Sequence, residues 1–164
     1  RSPMHSSGIG FDVHRFARLR RAGRPLVLGG VRIPRARGLQ GHSDADVLAP
    51  ALCDAILGAA SAGAIGQHFP DTDRRWRNAS SLVFLRHAAS LARRRGFRIV
   101  HVDAVIVTEA PRLAPYRARI RASLARALAI PVSAVSVKGK TAEGLGCVGR
   151  REGMAAWAIA NLAR

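Results

Sequence analysis

The apolar patterning of this chain predicts an α+β fold, a single-domain sandwich of one sheet and one helical layer. Three observations carry that expectation. Helical periodicity recurs in three separated segments near 47–59, 78–96 and 116–128. Between and after them lie short runs rich in β-branched residues, above all Ile99 to Val107. No internal repeat, low-complexity run or linker interrupts the sequence.

Each element has a local reason. Leu26-Val27-Leu28 and Val31-Arg32-Ile33 flank Gly29-Gly30, a two-residue spacing that signals a hairpin. From Val47 onward, Leu48, Ala51, Leu52, Ala55, Ile56 and Ala59 recur at helical spacing, with Gly58 and Gly63 closing the segment. On another face of that helix Asp46, Pro50 and Asp54 follow one another at intervals of four. A second helix is expected from a cap at Asn78 through Leu82, Leu85, Ala89 and Ala92 to Gly96. The third begins after Pro115, carries Tyr116, Ile120, Leu124, Ala127 and Leu128 on its apolar stripe, and ends before Pro131. Val135 to Lys138 reads as a short strand. Met154 to Leu162 is ambiguous: its alanines favour helix, while the alternation of Met154, Ala156, Ala158, Ala160 and Leu162 permits a strand with small residues on one face.

With 164 residues the chain is long enough to bury about two-thirds of its unfolded surface in one core. Residues 1–7 are expected to be a disordered segment or linker remnant. Two cysteines, Cys53 and Cys147, show no paired-framework spacing, which suits a reducing compartment. No apolar run reaches the ~20 residues of a membrane span, so a soluble cytoplasmic protein is expected. A net charge of +17 raises nucleic acid as a partner. Arginine is scattered rather than clustered, however, and lysine is confined to Lys138 and Lys140. Solvated surface charge that attracts an anionic substrate fits better, with neither nucleic acid nor membrane as partner.

Chemistry concentrates in four glycine-flanked polar clusters: 10–14, 41–46, 68–73 and 138–146. Asp12 and His14, one residue apart in an extended stretch, leave the same face of a strand and can converge on a cation. Zinc acting as a Lewis acid takes three protein ligands and an open position. Asp-x-His alone is a weak signal. His42 and Ser43 follow Gly41 before a helix, where imidazole, hydroxyl and backbone amides suit a phosphate. The competing reading makes Ser43 or Asp44 a helix cap and leaves His42 in solvent. Thr141 and Glu143 sit in a glycine-bounded turn, where a hydroxyl polarises a phosphoryl oxygen and a carboxylate holds a hard cation. A plain capping role for Thr141 competes there too.

The joint order of these pieces resembles the 2-C-methyl-D-erythritol 2,4-cyclodiphosphate synthase family of the non-mevalonate isoprenoid pathway. The likeness runs from about Gly8 to Leu162, through Gly10-Phe11-Asp12-Val13-His14, Gly41-His42-Ser43-Asp44-Ala45-Asp46, His68-Phe69-Pro70-Asp71-Thr72-Asp73, Glu109-Ala110-Pro111 and Gly149-Arg150-Arg151-Glu152-Gly153. The resemblance implies a homotrimeric phosphorus–oxygen lyase with active sites between subunits. Its reaction would be cyclisation of 4-diphosphocytidyl-2-C-methyl-D-erythritol 2-phosphate with loss of CMP. It further implies Asp12 and His14 as zinc ligands, Glu143 as the magnesium ligand, and His42 and Thr141 as catalytic residues. Substrate contacts would come from Asp12, Val13, His14, His42, Ser43, Ile65, Gly66, Phe69, Pro70, Asp71, Thr72, Asp73, Lys140, Thr141, Ala142, Glu143 and Arg150. Thr108 to Ala114 would form the cytidine loop. Phe11, Arg150 and Glu152 would border a central cavity for an isoprenoid diphosphate.

Two positions depart from the family pattern. Pro50 stands where the third zinc ligand, a histidine, is expected, and Ala64 where an aspartate precedes Ile-Gly. Proline in a helix interior clashes with the carbonyl four residues back, so the helix is expected to start near Asp46 with Pro50 in its first turn, or to bend there. Asp54, one turn further on, is a candidate replacement ligand. The alternative to an active synthase is an impaired or non-catalytic trimeric paralogue that keeps its nucleotide or isoprenoid diphosphate binding.

Overall fold

The computed structural model describes residues 4–18 and 24–164. Strands β1 (His5–Arg15), β4 (Arg98–Val107), β5 (Val135–Lys140) and β6 (Gly153–Ala163) form one sheet in the order β1-β6-β4-β5. The pairs β1/β6 and β6/β4 are antiparallel, and β4/β5 is parallel. β2 (Pro25–Leu28) and β3 (Val31–Arg37) form a separate hairpin. The α+β sandwich is therefore as expected, with two sheets rather than one. Gly29 and Gly30 both have positive φ, +55° and +74°, the left-handed pair that a tight two-residue hairpin needs.

One layer of helices covers the sheet: α1 (Leu48–Ala59), the short α2 (Ile65–His68), α3 (Ser81–Arg94) and α4 (Arg117–Leu128); a further short helix, α5 (Gly146–Gly149), precedes β6. α1 lies at the centre against β1 and β6, which is why Leu48, Ala49, Leu52, Cys53, Ile56 and Leu57 are all buried, more of its circumference than an apolar stripe requires. Met154 to Leu162 belongs to strand β6, and its inward row Met154, Ala156, Ala158, Ala160 and Leu162 is sealed under α1. Sheet pairing on both edges overrides the helical preference of alanine here, and the small side chains let the helix come close.

Glycine allows the closest approach of all. A Cβ on Gly10 would stand 1.8 Å from the carbonyl oxygen of Ala51, and one on Gly8 2.1 Å from that of Ala55. Two residues of strand advance about as far as one turn of helix. Moving along the inward face of β1, Ser6 hydrogen-bonds Ala59 and the glycines pass Ala55 and Ala51. Asp12 and His14 then arrive beside the start of α1.

Two boundaries correct the sequence reading, and the start of α1 bears it out. β1 begins at His5, so residues 5–7, expected to be disordered or a linker remnant, are paired strand; 1–3 lie outside the described residues. α3 is capped by Ser80, whose hydroxyl accepts the Leu82 N–H at 3.3 Å, not by Asn78, which holds a left-handed turn at φ +59°. α1 starts at Leu48, which puts Pro50 in the first turn, where a helical N–H has no partner to lose. Among the described residues no helix is long and apolar enough to cross a membrane.

Candidate active site

The loop 41–46 is held by its own carboxylates. Asp46 is fully buried and accepts N–H groups from Gly30 at 2.8 Å, Leu48 at 2.9 Å and Ala49 at 3.2 Å, tying the hairpin turn to the N-terminus of α1. Burial and the neighbouring charge of Asp44 still push its pKa up to about 6 against those donors. Asp44 binds the first residue of α3 beside its Ser80 cap, accepting the Ser81 N–H at 2.9 Å and the Ser81 hydroxyl at 2.5 Å. The helix starts are therefore held by Asp44, Asp46 and Ser80. His42 and Ser43, half-buried and just before these carboxylates in the chain, face an adjacent cavity.

That cavity, about 290 Å³, gathers Asp12, His14, His42, Ser43, Ile65, Gly66, Phe69 and Asp71, with Pro50 and Trp76 in its wall. Aromatic packing braces it: Phe69 meets Phe84 at 4.5 Å and the edge of Trp76 at 5.0 Å between ring centroids. His14 Nε2 lies 3.0 Å from Asp12 Oδ2. Burial disfavours a proton on His14, but the hydrogen bond and charge of Asp12, with the Gln40 carbonyl and Asp46, outweigh it and raise the imidazole above its ordinary pKa.

The donors for zinc stop at two. Among the described residues no group of three His, Cys, Asp or Glu side chains converges on one point. Asp54, the expected substitute, is committed elsewhere: its carboxylate accepts the Ile65 N–H at 2.7 Å and so holds the start of α2. Asp12, His14 and a proline do not fit a three-ligand zinc centre.

A second cavity of about 470 Å³ lies between the 108–117 segment and the end of β5. Thr108, Glu109, Pro111, Arg112, Leu113, Ala114, Lys140 and Thr141 line it, which brings the expected cytidine loop and Thr141 together. Thr141 Oγ1 donates to Glu143 Oε1 at 2.7 Å, and Glu109 accepts the Ala142 N–H at 2.7 Å, so two carboxylates shape this turn. Glu143 is exposed and has a positive φ of 52°. The two cavities share no lining residue.

Other expected contacts are not brought to these walls. The alternation of β1 turns the Val13 side chain to the opposite face of the sheet from Asp12 and His14, leaving only its backbone beside them. Pro70 and Thr72 are exposed outside the first cavity, and Asp73 is occupied by Arg75, at 2.6 Å. Ala142 and Glu143 lie outside the second cavity's lining. Arg150 pairs with Glu152 at 2.6 Å, away from both. Trp76, three residues beyond Asp73, lines the first cavity from outside the motifs singled out in the sequence, whereas Glu109 belongs to the expected cytidine loop and lines the second.

Comparison with known proteins places the chain in a family. The family model described as the YgbB family matches residues 5–163. The 2-C-methyl-D-erythritol 2,4-cyclodiphosphate synthase of Syntrophobacter fumaroxidans is 56% identical over 155 residues, covering 94% of this chain and 95% of that protein. Among solved structures, the bifunctional IspDF from Campylobacter jejuni is similar with a TM-score of 0.93 and 41% identity over 99% of this chain, which spans 43% of that longer one. The CDP complex of IspF from Plasmodium falciparum is similar with a TM-score of 0.83 and 32% identity, over 96% of this chain and 95% of that one. A chain whose sheet and helices match these structures over nearly its whole length thus belongs to the YgbB family, that of the 2-C-methyl-D-erythritol 2,4-cyclodiphosphate synthases.

Proposed function

We propose that this chain converts 4-diphosphocytidyl-2-C-methyl-D-erythritol 2-phosphate to the 2,4-cyclodiphosphate and CMP, as a homotrimer whose active sites form between subunits. The observation that carries this reading is the division of the site. One cavity holds Asp12, His14, His42 and Ser43, the other holds the 108–114 loop and Thr141, and among the described residues the two share no lining residue. The outer face of the sheet offers a surface for assembly, since Ile9, Phe11, Val13, Trp157 and Ile159 are exposed together there.

The reaction is an in-line displacement. An oxygen of the 2-phosphate attacks the β-phosphorus, the bond from that phosphorus to the oxygen bridging the α-phosphate breaks, and its electron pair leaves with CMP. Two anions must approach, so positioning and neutralisation carry the chemistry. His42 and Ser43 hold phosphate oxygens on one side. Thr141, whose hydroxyl donates to Glu143 in the free chain, would turn that proton to a phosphoryl oxygen of substrate held by the neighbouring subunit, leaving Glu143 free for a cation. Ile65, Gly66, Phe69 and Asp71 enclose the sugar alcohol, and the loop from Thr108 to Ala114 receives cytidine. Glu143 would hold magnesium with the substrate diphosphate, which supplies further charge neutralisation. Arg150, Glu152 and Phe11 would border a central cavity for an isoprenoid diphosphate.

Pro50 and Ala64 favour a second reading, a trimer that binds nucleotide without efficient turnover. Neither residue carries a ligand atom, and Pro50 lines the cavity where a third donor would stand. Phosphorus NMR of the purified protein with the diphosphocytidyl substrate, alongside its zinc content, decides between them. CMP and cyclodiphosphate signals establish the synthase; substrate unchanged over hours, with CDP still raising the melting temperature, establishes the binding protein.

A further inference from the structure

We propose that a second anion subsite, built from Arg24, Arg74 and Arg77, adjoins the His42 wall of the candidate active site and binds a tetrahedral phosphate dianion. A cavity of about 530 Å³ is lined by these three arginines with Gly41, His42 and Asn78. Among the described residues its lining has no carboxylate. It shares Gly41 and His42 with the cavity that holds Asp12 and His14, so the imidazole is a common wall.

The arginines are not equivalent, and their differences make a site. Arg24 is partly buried and fixed, its Nη1 donating to the Gly41 carbonyl at 2.7 Å. This leaves the rest of its guanidinium to face the cavity while it pins the loop that carries His42. Arg74 and Arg77 come from another segment, the short 3₁₀ turn 74–76 and the residue after it. Among the described residues neither has an ion-pair or hydrogen-bond partner for its guanidinium. The nearest carboxylate in sequence, Asp73, is taken by Arg75. The backbone ties the two segments together: the Asn78 N–H donates to the His42 carbonyl at 3.0 Å, and Asn78 turns the chain in the left-handed region. Three arginines lining one cavity, with no acid in that lining among the described residues, match a dianionic phosphate better than a carboxylate or chloride, because a guanidinium fork offers paired donors to tetrahedral oxygens.

Two sources supply that chemistry: free inorganic phosphate, and the phosphomonoester end of a substrate bound in the adjoining cavity. The second rests on the function proposed above, whereas the first does not. The test therefore begins without turnover. Inorganic phosphate is titrated into the intact protein at constant low ionic strength while the melting temperature is followed, with chloride as the control. A rise with phosphate, absent with chloride, that is lost in R74A/R77A and partly kept in R74K/R77K is the expected result. These side chains are exposed, so both variants should melt like the parent without phosphate. No rise in the parent, or a rise that survives R74A/R77A, overturns the proposal. Where the protein turns over, phosphate then distinguishes the sources. Competitive inhibition, with R74A/R77A raising KM about tenfold and leaving kcat within twofold, assigns the subsite to the substrate's phosphomonoester. Inhibition or activation that does not compete assigns it to free phosphate.

Discussion

The N–H of Gly30, at the tip of the hairpin, donates at 2.8 Å to the carboxylate of Asp46, which is wholly buried at the entrance to α1. One side chain thus fixes a turn, a helix start and the loop bearing His42. It does so at an electrostatic disadvantage, because burial and Asp44 raise its pKa from 3.8 to about 6 despite three backbone donors.

A pH dependence of stability follows. A carboxyl with a raised pKa in the folded state binds its proton more tightly there than in the unfolded chain. Its contribution is therefore complete below pH 4 and is lost as pH rises through about 6. The shift corresponds to about 3 kcal/mol between those limits. Asp46→Asn keeps an acceptor and removes the charge. The variant should gain on the parent as pH rises from 4 to 8, by up to about 3 kcal/mol in urea unfolding. A constant difference between the two proteins across that range would exclude Asp46 as the titrating group.

Gly10 should tolerate no side chain. Its missing Cβ is replaced in space by the Ala51 carbonyl, and both partners are backbone atoms in regular elements, so neither yields by a rotamer change. Gly10→Ala is expected to cost at least about 1–3 kcal/mol, as overpacked cores do, and to displace Asp12 and His14 from the start of α1. Chemical unfolding reads the first effect. Stability within 0.5 kcal/mol of the parent would mean that α1 does not sit where the strand and helix spacing put it.

Much of this was legible in the chain itself, for identifiable reasons. The three long helices and the Gly29-Gly30 hairpin announce themselves because their signals are local periodicity and turn chemistry. The choice between helix and strand for 154–162 was not local: it depends on β1 and β4 flanking that segment, and on α1 needing a thin row of alanines beneath it. The cap of α3 was misplaced by two residues because Asn78 and Ser80 are both good capping types, and only Ser80 meets a free helical N–H. Scattered arginine read as solvated charge, yet Arg37, Arg93, Arg95, Arg121 and Arg164 each donate to main-chain carbonyls. Arg93 reaches the C-terminus of α4 and Arg95 that of α1, contacts set by where distant segments return. The site motifs were found because each is contiguous. Their division between two cavities, and the commitment of Asp54 to α2, are tertiary facts.

Assembly should be sensitive to the outer sheet face. Phe11 and Trp157 face each other across β1 and β6 with centroids 4.7 Å apart, and Ile9 faces Ile159 in the same register. Ile159→Asp puts a charge in the middle of that exposed apolar row without touching the core. In a trimer joined through this face the substitution should shift the protein to monomers in sedimentation velocity at micromolar concentration, and CMP release should fall with it. A variant that sediments like the parent would remove this face from the interface.

Pro50 is the residue whose replacement should change the chemistry most. It occupies the third position of α1, where its missing N–H costs nothing, so a histidine there keeps the helix start that Asp46 caps. The cavity would then present Asp12, His14 and a second imidazole, the three protein donors that a catalytic zinc takes with one position open. Pro50→His is expected to raise zinc affinity by more than the 10–100-fold typical of outer-shell changes, and CMP release at limiting zinc should rise with it. The gain should disappear in Asp12→Asn/Pro50→His, since that pair restores a two-donor site. Equal zinc content and equal turnover in the parent and in Pro50→His would show that the Asp12–His14 pair does its work without a third ligand, and that the proline is no defect.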